Sequence, residues 1–141
     1  MEIRTDKAPA FPTILSQARR SGALIFTSGT VPMLPGQKHT TGSNITEQTR
    51  LSLQNLSCVL EAAGARLDNV IKVTVYLTDM KDYSAMNAVY KQFFKPPMPA
   101  RTCVGVKELA LPQMRIEIEA VAEIPRETNE SGPVQTRRET A

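Results

Sequence analysis

Two stretches of the chain alternate between apolar and polar residues, and this pattern constrains the fold more than any other feature. From Val70 to Thr78, the residues Ile71, Val73, Val75 and Leu77 fall on one side and Lys72, Thr74, Tyr76 and Thr78 on the other. From Arg115 to Ile124, an apolar line of Ile116, Ile118, Ala120, Ala122 and Ile124 stands opposite Arg115, Glu117, Glu119 and Glu123. Successive side chains of a strand point to opposite faces of a sheet, so each stretch predicts a half-buried strand whose apolar face another layer must cover.

Two helical patterns supply that layer. Asn44 followed by Glu47 resembles a capping box, Leu53, Leu56, Leu60 and Ala63 then recur at helical spacing, and Gly64 supplies a stop. Tyr83, Met86, Tyr90, Phe93 and Phe94 repeat in the same way until Lys95-Pro96-Pro97 ends the pattern. Upstream, the β-rich run Ala23 to Ser28 follows the turn signal Ser21-Gly22, which predicts a hairpin opening the fold. The stretch from Pro32 to Ser43 has the composition of a surface loop, and Thr102 to Val106 reads as a short strand. The order β-β-α-β-α-β-β predicts an α+β layered fold, a mixed sheet with one face covered by two helices.

With 141 residues, the chain is expected to form one domain over residues 1–125. Beyond Pro125, the segment Arg126 to Ala141 holds Val134 as its one large aliphatic residue and balances three Arg against three Glu, so it is expected to be a disordered tail. The net charge of +3 is small, and no basic run interleaves with aromatics, so nucleic acid is not implied as a partner. Cys58 and Cys103 lie far apart and His39 is the only histidine, which argues against a disulfide framework and a metal site and fits a reducing compartment. Met1 to Pro12 lacks the apolar core of a signal peptide and the Arg-rich character of a transit peptide, so the expected location is cytoplasmic, with organellar delivery left open. No apolar run approaches the roughly 18 residues of a membrane-spanning helix, so no membrane partner is expected.

Several residues carry possible chemistry. Glu117 and Glu119 point the same way from the last strand, as a solvated outer face or as part of a site. Arg101 and Cys103 share one face of the short strand, and Val104 points away. A guanidinium holds a carboxylate bidentately, which a lysine does not, though a surface arginine fits the same spacing. Cys103 reads as a small buried hydrophobe, since no catalytic histidine accompanies it. Ser28-Gly29 fits either turn chemistry or a backbone placed close to a ligand. The chain has no G-x-G-x-x-G, P-loop, G-x-S-x-G or H-E-x-x-H motif.

Taken together, Pro99-Ala100-Arg101-Thr102-Cys103-Val104, then Leu111-Pro112 and Ile116 to Ala122, resemble the signature of the reactive intermediate deaminase family (RidA, YjgF-like, endoribonuclease L-PSP-like). Ser16-Gln17-Ala18, Phe26-Thr27-Ser28-Gly29, Gln48-Thr49, Asn55-Leu56, Leu60 to Gly64 and Met86 to Tyr90 agree in order, so the resemblance spans about Leu15 to Ala122. It implies a chorismate-mutase-like fold assembled as a homotrimer, with a central barrel and clefts between subunits. The implied activity is hydrolysis of 2-imino acids, such as 2-iminobutanoate and 2-iminopropanoate, to 2-keto acids and ammonia without metal or cofactor. Arg101 would clamp the substrate carboxylate, Glu117 would activate water, the Cys103 and Gly29 backbones and Ser28 would help hold the ligand, and Asn87 would lie near it. Leu15 stands where many members have a tyrosine, which implies a narrower, more apolar cleft or a ligand-binding or chaperone-like paralogue without turnover. RNA cleavage or translational inhibition, attached to some relatives, finds little support in the unclustered charge. The reading requires Arg101 and Glu117, from neighbouring strands, to converge on one cleft.

Overall fold

A computed structural model describes residues 1–126, so the expected tail, Arg126 apart, lies outside the described residues. The chain forms strands β1 (Glu2–Ile3), β2 (Ala18–Ser21) and β3 (Leu24–Thr27), helix α1 (Ile45–Ala62), strand β4 (Val70–Leu77), helix α2 (Tyr83–Phe93), and strands β5 (Ala100–Gly105) and β6 (Ile116–Glu123). They build a six-stranded sheet in the order β1-β2-β3-β6-β4-β5. β4 and β5 run parallel and the other pairs antiparallel, which makes the sheet mixed as expected. A parallel pair needs a crossover, and α2 supplies it. β1 precedes the expected hairpin; a two-residue strand shows no periodicity from which to read it.

Both helices pack on one face. Leu53, Leu56 and Leu60 of α1 and Met86, Val89 and Tyr90 of α2 meet Val73, Val75, Leu77, Ile116, Ile118, Ala120 and Ala122 in one buried cluster. The other face, with Phe26, Thr74, Tyr76, Glu117, Glu119 and Val121, carries no second layer among the described residues.

The alternation of β4 fails at its start. A bulge between Val70 and Lys72 makes Val70 the partner of Ala122 and Lys72 that of Val121, so Ile71 leaves the core face and is 47% exposed. An extra residue in one strand reverses the parity on its far side, which is why Val70 is buried instead.

Helix α1 begins as its sequence predicts: the Asn44 side chain accepts a bond from Glu47 N–H at 2.9 Å. The reciprocal bond is shifted, because the Glu47 carboxylate accepts from Ser43 N–H at 2.9 Å rather than from Asn44. Gly64, at φ +83°, ends the helix in a conformation that costs other residues a steric penalty. Polar residues are buried beside the leucines. Asn55 donates to the carbonyls of Val31 and Met33 at 2.9 and 2.8 Å, and Gln48 bridges the Gln113 carbonyl and Arg115 N–H. These bonds tie the loops after β3 and before β6 to the helix.

Arg115 forms a bidentate pair with Asp82, Nε to Oδ2 at 3.0 Å and Nη2 to Oδ1 at 2.8 Å, joining the start of β6 to the start of α2. The Asp82 side chain is only 9% exposed, so its removal leaves a partly buried cation without a partner. Asp82→Ala is expected to lower stability by about 2 kcal/mol, read from the urea midpoint, with Asp82→Asn losing less.

Candidate functional site

β5 is the last strand of the sheet, and its register sets Arg101 beside Val73 and Cys103 beside Val75, on the helix side. There Arg101 meets α2. Its Nη1 donates to Asn87 Oδ1 at 2.7 Å, its Nη2 donates to the Tyr83 hydroxyl at 3.2 Å, and Cζ lies 4.7 Å from the Tyr90 ring centroid and 5.6 Å from that of Tyr83. Two ring faces and two neutral oxygens therefore hold the guanidinium. Among the described residues, no carboxylate lies within ion-pair distance of it. Asn87, Tyr90, Lys91, Met98, Pro99 and Arg101 line an open groove of about 260 Å³. A half-buried cation with neutral partners, bordering a groove, is prepared for an anion.

Tyr83 and Tyr90 were legible only as an apolar helix stripe. Their spacing with Asn87, at i, i+4 and i+7, places all three on one helix face and is the signal that marks them as a cradle for Arg101. Cys103 is half-buried against the core, and burial raises its thiol pKa more than the nearby Arg101 lowers it. It stays a thiol at neutral pH, in keeping with its reading as a small hydrophobe.

A second cluster gathers around β6. Glu117 pairs in register with Tyr76 and Glu119 with Thr74, on the uncovered face. Burial pushes the Glu117 carboxyl above the usual carboxylate range, and the neighbouring Glu119 charge pushes it further. The Tyr76 hydroxyl donates to Glu119, which leaves Glu117 the less engaged of the two acids. Gly29 lies against Glu117, and a Cβ at Gly29 would fall within 2.7 Å of its Cγ and 2.6 Å of its carboxyl carbon. Close approach, not turn geometry, is why glycine occupies this position. Gly29→Ala is expected to displace the Glu117 carboxylate while the thermal melt is unchanged, read from the structure of the variant beside its melting curve.

Ser28 spends its polar groups inside the chain: its hydroxyl donates to the Ser16 carbonyl at 2.6 Å and its N–H to the Gln17 carbonyl at 3.0 Å. These bonds hold the Leu15–Gln17 segment over Ser28-Gly29. Leu15, Ser28 and Gly29 line one small recess together with Phe11, Val31 and Val59.

The two clusters do not meet within one chain. β4 lies between β5 and β6, so the strands of Arg101 and Glu117 are not neighbours. Arg101 is in register with Val73 and Glu117 with Tyr76, an odd number of residues apart on the same strand, so the two side chains leave opposite faces of the sheet. Arg101, Asn87 and Cys103 form one half of the expected set; Glu117, Gly29, Ser28 and Leu15 form the other.

A family model described as Endoribonuclease L-PSP matches residues 5–124, a span that includes both halves. TdcF of Escherichia coli K12, provisionally named a reactive intermediate deaminase, is 38% identical over 123 residues, covering 85% of this chain and 94% of TdcF. The crystal structure of E. coli TdcF with bound serine matches with a TM-score of 0.80 at 36% identity, over 87% of this chain and 98% of that one. RidA from an Antarctic Psychrobacter gives a TM-score of 0.83 at 33% identity, over 88% of this chain and 99% of RidA. The mitochondrial protein mmf2 of Schizosaccharomyces pombe is 44% identical over 109 residues, 76% of this chain and 85% of mmf2. With its sheet, its helix layer and nearly all its described length shared in this way, the chain belongs to the endoribonuclease L-PSP family, which includes RidA and TdcF.

Proposed function

We propose that this protein hydrolyses small 2-imino acids to 2-keto acids and ammonia, in a cleft completed by a second copy of the chain. The observation that carries the reading is the half-buried Arg101 guanidinium, held by neutral groups beside a groove and lacking a carboxylate partner among the described residues. A small organic acid supplies that partner. The serine bound in E. coli TdcF is an acid of this size, and supports the reading by analogy.

Assembly follows from what one chain leaves open. Among the described residues, the sheet face bearing Phe26, Tyr76, Glu117 and Val121 has no covering layer, and β5 is an edge strand. Unpaired edges and uncovered sheet faces are satisfied by another chain. A homotrimer closing its sheets around a central barrel would bring Glu117 of one subunit toward Arg101 of the next and reunite the two halves.

The chemistry then needs little. Water adds to the carbon of the protonated imine and Glu117 takes a proton from that water, which leaves a neutral carbinolamine. Glu117 then returns this proton to the amino nitrogen, the C–N bond breaks to release ammonia, and the hydroxyl proton passes back to the Glu117 carboxylate as the C=O bond of the keto acid forms. Arg101 fixes the carboxylate so that the imine carbon faces the water. No cofactor or metal takes part in this scheme. RNA cleavage is disfavoured by charge, since Glu117 and Glu119 share the open face with Lys72. Both cysteines are free, in keeping with a reducing compartment such as the cytosol.

The test is a coupled assay in which an amino-acid oxidase generates the imino acid in place and ammonia release is compared with the spontaneous rate. Acceleration supports the reading. Binding of 2-ketobutanoate with no acceleration for any imino acid would leave a ligand-binding protein instead, the alternative that Leu15 raises.

A further inference from the structure

We infer that Leu15 is the partition that limits substrate length, so that the site takes imino acids with short aliphatic side chains and turns longer ones away. This deepens the proposed function and rests on it for the location of the reacting carbon near Glu117.

Two cavities adjoin at this residue. The inner recess, about 20 Å³, is lined by Ala8, Pro9, Phe11, Leu15, Val31 and Val59, by Gly29, and by the polar residues Gln17, Ser28, Thr30 and Asn55. The outer groove, about 370 Å³, runs along Glu2, Arg4, Thr5, Asp6, Ala10 and Pro12. Phe11, Leu15 and Gln17 are walls of both. Gln17 is fixed, donating to the Thr5, Ala8 and Pro9 carbonyls and accepting from Thr5 N–H, so it is committed to holding the N-terminal segment in place. Phe11 begins a tight turn, its carbonyl accepting from Ile14 and Leu15 N–H at 3.0 Å each. Leu15 is the wall that a substitution removes without undoing these bonds, because only its side chain takes part and it is 39% exposed.

Gly29 connects the recess to the chemistry, since it borders the recess and also lies against the Glu117 carboxylate. A substituent that leaves the reacting carbon past Gly29 enters a space whose walls are mostly apolar. The recess holds little more than the roughly 10–15 Å³ that one water requires, which suits the end of a methyl or ethyl side chain. A longer chain meets Leu15. Gln17, Ser28, Thr30 and Asn55 already donate to carbonyls within the chain, so a polar side chain in the recess meets engaged donors and the apolar walls of Phe11, Val31 and Val59.

The experiment compares wild type, Leu15→Ala and Leu15→Phe on 2-iminobutanoate, 2-iminopentanoate and 2-iminohexanoate made in place, and on the matching 2-keto acids by titration calorimetry. In wild type, kcat/KM and keto-acid affinity are expected to fall by about tenfold or more from the butanoate to the hexanoate, the scale of a misfitted methylene. Leu15→Ala joins recess and groove and is expected to level that profile, whereas Leu15→Phe steepens it. The same slope in wild type and Leu15→Ala overturns the role of Leu15 even if all three imino acids are hydrolysed. The expected affinity profile without acceleration by any form retains Leu15's role and overturns the deaminase reading. Thermal melts of both variants confirm that the fold persists.

Discussion

Arg101→Ala is expected to reduce imine hydrolysis by roughly thirtyfold to a few thousandfold, with assembly and melting temperature close to those of the wild type. Truncating one partner of a buried, hydrogen-bonded charge pair costs about 2–5 kcal/mol, and each roughly 1.4 kcal/mol is a factor of ten. The guanidinium makes no ion pair among the described residues, so its loss exposes no buried counter-charge in the free protein. Arg101→Lys separates charge from shape: lysine keeps the charge but not the fork that fits a carboxylate, and an intermediate rate is expected. The check is kcat/KM in the coupled assay beside a sizing column and a melt. A variant that assembles and keeps its full rate would show that Arg101 is not the carboxylate clamp.

The second large effect is expected at Glu117, where Glu117→Gln should lower kcat by about 10²–10⁴-fold, the usual contribution of a positioned general base. The pH profile carries the more specific signature. Burial, and then the charge of Glu119, raise the Glu117 pKa above its ordinary value, so the carboxyl is protonated over a wider acidic range than a free glutamate. A base acts only when deprotonated, hence the rate should rise with pH through the raised pKa and fall as pH drops below it. Glu119→Gln removes the like-charge contribution and should move that limb to lower pH while leaving the plateau nearly unchanged. Stability should run the other way. Because the folded state favours the protonated form, Glu117's contribution is present below the unfolded pKa and is lost as pH rises through the folded one. Glu117→Gln is therefore expected to be at least as stable as wild type at neutral pH, measured by denaturant midpoint. A residual rate in Glu117→Gln that keeps the wild-type acid limb would sink the assignment of Glu117 as the base.

Apart from the start of β4, where a pattern repeats along a single element the residues themselves determined the outcome. The cap at Asn44, the stop at Gly64, the leucine stripe of α1 and the apolar face of β6 all follow from interactions within a few residues, and each stands where the sequence predicts it. The shared face of Arg101 and Cys103 follows in the same way from strand periodicity. Ile71 marks the limit even of local reading, because one bulge changes which residues face the core and no composition announces it.

How strands are ordered and registered was decided by the tertiary structure. Alternation tells which neighbours along one strand share a face, but it says nothing about which face of the sheet that is, nor which strand lies alongside. Insertion of β4 between β5 and β6, with Val73 beside Arg101 and Tyr76 beside Glu117, sends the two candidate catalytic groups to opposite sides. The closeness of Gly29 to Glu117 and the cradle of Tyr83, Asn87 and Tyr90 around Arg101 likewise appear only when distant segments pack. Short-range periodicity is written in the order of residues; long-range register comes from burying all the apolar faces at once, a condition that no single segment contains.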